Sequence, residues 1–336
     1  MRKHVSIIFL LSACVILSQG CHVGTSGTWK NDRIDENVKD KIDVLNKKLF
    51  KSIATKDIVG IKQLMSPILI EKSGKKIDTL INNIDVPSDN PDYRLLDEYY
   101  TKNTATNISN TLFSNKGNDN DYTIQYEALN EEMYVSILTS EKLPANFMIL
   151  AIYGKYENEW KLNILQVGDY TLLDKTAPDY YNAALKEYNK GYIIDAADLI
   201  IIASEIANPA NDYFKYKNEG EMKDFYSKVL KEANTQYKFP IIVNQVKSNP
   251  QIFAINPQFI GNGDHKGIFP IVKYKSSIEL KDTVALKVEN DAMQKVIGSI
   301  FRGIDQDKSN IIYQAFNQIP DGKTIIKHYG FIQNLK

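Results

Sequence analysis

Residues 147–153 read Phe-Met-Ile-Leu-Ala-Ile-Tyr, without a charged side chain among them. Successive side chains of a β-strand point to opposite faces, so a strand of this composition is apolar on both. Such a strand belongs inside a sheet that is covered on each side. The neighbouring segments alternate instead. Tyr122, Ile124, Tyr126 and Ala128 alternate with Thr123, Gln125 and Glu127, and Met133, Val135 and Ile137 alternate with Tyr134 and Ser136. Trp160, Leu162 and Ile164 alternate with Lys161 and Asn163, and Gly154 to Glu159 supplies the turn before them. Apolar residues make up 43% of the 336, enough for a packed core.

Before about Arg94 the period is helical. Val38, Ile42, Leu45, Leu49 and Ile53 form one stripe, and Ile77, Leu80, Ile81 and Ile84 another. Between them, Asp57 can cap a short helix carrying Ile58, Ile61, Leu64 and Met65, ended by Ser66-Pro67. Helices followed by a long antiparallel sheet make an α+β pattern. The segment from Ile149 to Tyr170, which carries Trp160 and ends in Gly168-Asp169-Tyr170, resembles the closing hairpin of an NTF2-like (cystatin-like superfamily) domain. The resemblance covers about residues 35–175. It implies a curved antiparallel sheet with packed helices, and a concave sheet face as the pocket. Some members of that superfamily are isomerases or dehydratases with an acid–base residue in the cone. The residues expected on that face here are mostly Tyr, Ile, Val and Trp.

Residues 176–235 read as a helical connector. Tyr188, Gly191, Ala196, Ile200 and Ala203 stand at the spacing of a single tetratricopeptide-like hairpin with Gly191 in its turn, followed by a helix bearing Met222, Phe225, Val229 and Leu230. Residues 236–336 read as a second, small α+β domain. Strands are expected at 239–243, 251–260, 268–274 and 284–288. Asn290 or Asp291 would cap a helix, and a hairpin would turn at Pro320-Asp321-Gly322.

The first 34 residues speak of location. Arg2 and Lys3 precede an uncharged, mostly apolar run from Val5 to Ser18 that is short for a membrane span. The run ends in Leu17-Ser18-Gln19-Gly20-Cys21, and Gly, Ser and Thr follow. This resembles a bacterial lipoprotein signal: residues 1–20 would be removed, Cys21 would take the lipid, and 21–34 would be a tether. Leu11-Ser12-Ala13-Cys14 is the competing site, with a shorter apolar run before it. An ordinary secreted protein is the third possibility. The resemblance implies anchoring to an envelope membrane, facing the periplasm or the cell surface. Cys14 and Cys21 are the only cysteines, so no disulfide framework or thiolate cluster exists in the body.

Lys plus Arg equals Asp plus Glu, at 41 each, and removal of Arg2 and Lys3 leaves 39 against 41. With lysines evenly spread, a nucleic-acid partner is not expected. No nucleophile elbow, Walker loop or dinucleotide fingerprint occurs, and no cofactor is expected. His265 sits in a glycine-rich loop and His328 in an expected strand, neither with metal-ligand company. Asp305, Asp307 and Ser309 match the first ligand positions of a calcium loop, but Asn310 replaces the turn glycine and Phe316 the bidentate glutamate. The resulting expectation is a non-catalytic binding or assembly module, with an unidentified envelope protein or small ligand as partner. An NTF2-like enzyme and a structural spacer are the rivals. For the anchor, Cys21→Ser should abolish incorporation of a clickable palmitate analogue in bacterial cells, while Cys14→Ser keeps it. The reverse pattern would move the lipid to Cys14.

Overall fold

The computed structural model describes residues 24–84, 92–263 and 266–335; Cys14, Cys21 and His265 lie outside them. In chain order the elements are β1 (Thr25–Lys30), α1 (Glu36–Ala54), α2 (Ile58–Leu64), α3 (Pro67–Asn83), β2 (Tyr93–Asn103), β3 (Ile108–Phe113), β4 (Tyr122–Ala128), β5 (Glu132–Ser140), β6 (Ala145–Tyr156) and β7 (Glu159–Leu172). Then follow α4 (Ala177–Lys190), α5 (Ile193–Glu205), β8 (Phe214–Tyr216), α6 (Glu219–Gln236), β9 (Ile241–Ile242), β10 (Gln251–Ile260), β11 (Gly267–Lys275), α7 (Thr283–Ile300), β12 (Asn310–Phe316) and β13 (Tyr329–Asn334). The class is α+β.

The apolar run lies in β6, between β5 and β7 in an antiparallel sheet of order β1-β2-β5-β6-β7. Its period of two divides the molecule. Phe147, Ile149, Ala151 and Tyr153 join a core with α1–α3, through Ile42, Leu49, Ile53, Ile61 and Ile81. Met148, Leu150 and Ile152 join a second core on the opposite face. A second sheet, β3-β4-β8, adds Tyr122, Ile124 and Phe214 to that core. A third sheet, of order β13-β12-β11-β10-β9, adds Ile252, Val272, Ile311 and Tyr313. Its β11 and β12 run parallel, and α7 makes the crossover that parallel strands require.

Helix starts follow local chemistry. The Asp57 and Ser66 side chains accept from Gly60 N at 2.9 Å and Leu69 N at 3.2 Å, so Ser66-Pro67 opens α3 as well as closing α2. A capping box between Thr176 and Asp179 begins α4.

Four sequence expectations change. Thr25–Lys30 is an edge strand, not tether: it pairs with β2, Trp29 stacks on Tyr100, and Lys30 reaches the buried Asp97 at 2.9 Å. The helical stretch after residue 177 is interrupted by β8, which pairs with β4. The connector is a packed layer: one hydrophobic cluster runs from Tyr99 through α4, α5 and α6 to Ala315, without a break at 175/176 or 235/236. Residues 284–288 belong to α7. Asp282 caps that helix by accepting from Ala285 N, Leu286, Met293 and Ile297 are buried, and Val284 and Val288 are 76% and 67% exposed.

Leu150 is fully buried on β6. Leu150→Ala should therefore lower unfolding free energy by about 3 kcal/mol in urea titration. Val284→Ala should change it by no more than ~0.5 kcal/mol.

Candidate functional site

Side chains fill the sheet face toward α1–α3, the face considered for a pocket. Tyr100, Tyr134, Phe147, Tyr153 and Trp160 are buried there, with Tyr100 and Tyr134 edge-on to Trp160 at 6.2 Å. Asn46 of α1 accepts from the Tyr153 hydroxyl at 3.0 Å and donates to Ser136 Oγ at 3.0 Å. The buried carboxylate on this side, Glu98, receives the Tyr134 hydroxyl and the Lys39 ammonium, the latter at 3.0 Å. Its charge is thus compensated within the fold.

A cleft with different chemistry opens between α5 and the third sheet. Gly191, at φ 78°, ends α4 in the left-handed conformation and turns the chain into α5. That helix reads Ile-Ile-Asp-Ala-Ala-Asp-Leu-Ile-Ile-Ile-Ala-Ser-Glu and is buried over most of its circumference. Asp195 and Asp198, three residues apart, therefore share a face and are both carried into the interior. The loop after α7 comes to meet them. Gly303, at φ 93°, lies flat on the Tyr192 ring, where any Cβ would collide with it. This close approach delivers Lys308 to Asp195, Nζ to Oδ2 at 2.9 Å. Lys308 also donates to Gly303 O at 3.1 Å and Gln306 O at 2.8 Å, which employs all three ammonium protons.

Asp198 is left over. It is 7% exposed, lines the cleft, and receives no hydrogen bond from any described residue. Nearby, Glu187 Oε1 and Asp307 Oδ2 accept from Lys190 at 3.0 and 2.7 Å, while Glu187 Oε2 is buried without a partner. The opposite wall is apolar: Leu199 with Ile268, Phe269 and Pro270 of β11. The cleft is about half open to solvent and has a volume of about 140 Å³. Burial pushes the Asp195 carboxyl up to about 6, although Lys308 pulls the other way. Burial, and then the charge of Asp195, hold Asp198 well above the usual carboxylate range.

The calcium-loop residues engage three different neighbours. Asp305 packs on Gly298 of α7 and accepts from Gln306 at 3.1 Å, Asp307 faces Lys190, and Ser309 Oγ accepts from Asn310 at 2.9 Å. Among the described residues no group of three or more His, Cys, Asp or Glu side chains is arranged to hold a metal ion. His328 lies exposed just before β13, its ring 5.2 Å from Phe316. Sequence reading passed over Asp195, Asp198 and Glu187. The available signal was two aspartates inside a helix apolar on all sides, where a polar residue must be buried.

Comparison of the chain with family models, curated proteins and solved structures returns no match.

Because both folded-state values are raised, the two carboxyls favour the fold fully below about pH 4. That contribution is lost as pH rises through the folded-state values, about 6 for Asp195 and well above the usual carboxylate range for Asp198. Asp198→Asn should thus raise the melting temperature relative to wild type at pH 8 and have little effect at pH 4. A variant less stable than wild type at pH 8 would show Asp198 to be a favourable, compensated anion.

Proposed function

We propose that the chain is a lipid-anchored protein of the bacterial envelope that acts as a binding module, with the Asp198 cleft as its ligand site. The observation that carries this reading is a buried carboxyl lining a cavity while the adjacent ammonium is fully engaged elsewhere. A carboxyl at such a place has acceptor capacity that a bound ligand can use. The lipobox at Cys21 supplies the address in this reading, and β1, paired from Thr25, would hold the body within a few residues of the membrane. No helix among the described residues is long and apolar enough to cross a membrane.

The NTF2-like resemblance remains part of the proposal for residues 35–175, supported by α1–α3 packing on one face of the β1-β2-β5-β6-β7 sheet. Its enzymatic version asks for a free acid or base on the concave face. Glu98 there is engaged by Lys39 and Tyr134.

A thermal-shift screen of small metabolites on the full chain purified from membranes tests the reading. Compounds that stabilise wild type, by about 3 kcal/mol at a hundredfold excess over Kd, should lose their effect on Asp198→Asn and be recovered unchanged. Equal stabilisation of both chains would place the ligand site elsewhere, and conversion of a compound would favour an enzyme.

A further inference from the structure

The chemistry of the cleft restricts its occupant. Four carboxylates, Glu187, Asp195, Asp198 and Asp307, line it, and Lys308 is the one ammonium among its lining residues. Lys308 is spent on Asp195 and two carbonyls, and Lys190 on Glu187 Oε1 and Asp307. The Asp198 carboxyl lines the cleft and receives no hydrogen bond from a described side chain, and on another lining residue, Glu187, Oε2 is buried without a partner. Both are acceptors when ionised, and a primary ammonium has three donors and no acceptor. Leu199, Ile268, Phe269 and Pro270 offer a short hydrocarbon wall opposite.

We propose that the cleft binds a small organic cation, a primary ammonium on a short alkyl chain, with its nitrogen on Asp198 and its carbons against Leu199, Ile268, Phe269 and Pro270. This rests on the binding-module reading and adds the ligand class. The volume of about 140 Å³ suits a ligand of few heavy atoms. Burial, and then the charge of Asp195, raise the Asp198 carboxyl well above the usual carboxylate range and so favour its protonated form. Seating a cation therefore expels that proton to the buffer, while the ammonium keeps its own. The charged groups that share the cleft with Asp198 are Asp195 on its own helix, Glu187 from α4, and Asp307 and Lys308 from the loop, while Lys190 is held on Glu187 and Asp307; β11 contributes only apolar side chains to the cleft.

The test is calorimetry of the full chain in detergent with n-butylammonium, with n-butanol and butyrate as neutral and anionic controls. The expected result is saturable binding of n-butylammonium alone, about tenfold tighter at pH 8 than at pH 5.5. In two buffers of different ionisation enthalpy the heats should report proton release. Asp198→Asn should remove the binding and Glu187→Gln weaken it; because wild-type proton release is read without any variant, a poorly folded variant does not spoil the test. Butyrate or butanol binding that depends on Asp198 would overturn the cationic class and leave the cleft as the ligand site. Binding of none of the three would overturn the cationic inference, and the metabolite screen separately decides the site.

Discussion

The structure depends on one strand that cannot face water. With Phe147, Ile149, Ala151 and Tyr153 on one side of β6 and Met148, Leu150 and Ile152 on the other, each face requires its own layer. Fully burying side chains of this size contributes about 1.5–3 kcal/mol each, so neither face can be left open. Helices α1–α3 cover the first. The second is covered by β3-β4-β8 and the α4–α5–α6 layer, and the core they form runs on into the C-terminal sheet. The three sheets are joined to one another through this need, and the cleft lies at the last of the junctions.

That junction combines two opposed demands. Helix α5 must be apolar to sit between the sheets, yet it carries Asp195 and Asp198. Lys308 answers one of them from a loop made possible by Gly303 on Tyr192. The other lines the cleft without a hydrogen bond from a described side chain, its carboxyl raised above the usual range by burial and by Asp195. By contrast, Asp97 and Glu98 on β2 are also buried, and each is met by lysine and tyrosine from within the chain.

How much of this was legible in the sequence follows from how local each feature is. The two-faced strand, the Asp57 cap and the Gly191 turn are written in neighbouring residues, and they appear as read. Strand β1, Thr-Ser-Gly-Thr-Trp-Lys, has no apolar alternation, because pairing with β2 and the Trp29–Tyr100 stack hold it. Val-Ala-Leu-Lys-Val at 284–288 suits either period, and the Asp282 cap decides for helix. Three-residue β8 is too short to show a period at all. The cleft was illegible for a different reason: Asp195 and Lys308 are 113 residues apart, and only the packing of α5 against the third sheet brings them together.

The central claim is the state of the Asp198 carboxyl, and carboxyl-carbon NMR of the full chain labelled at aspartate reads it directly. The account predicts one aspartate titrating near pH 6 and a second, absent from the spectrum of Asp198→Asn, titrating well above the usual carboxylate range. An Asp198 resonance already fully ionised at pH 5 would mean that the carboxyl is solvated or paired, and would contradict the site.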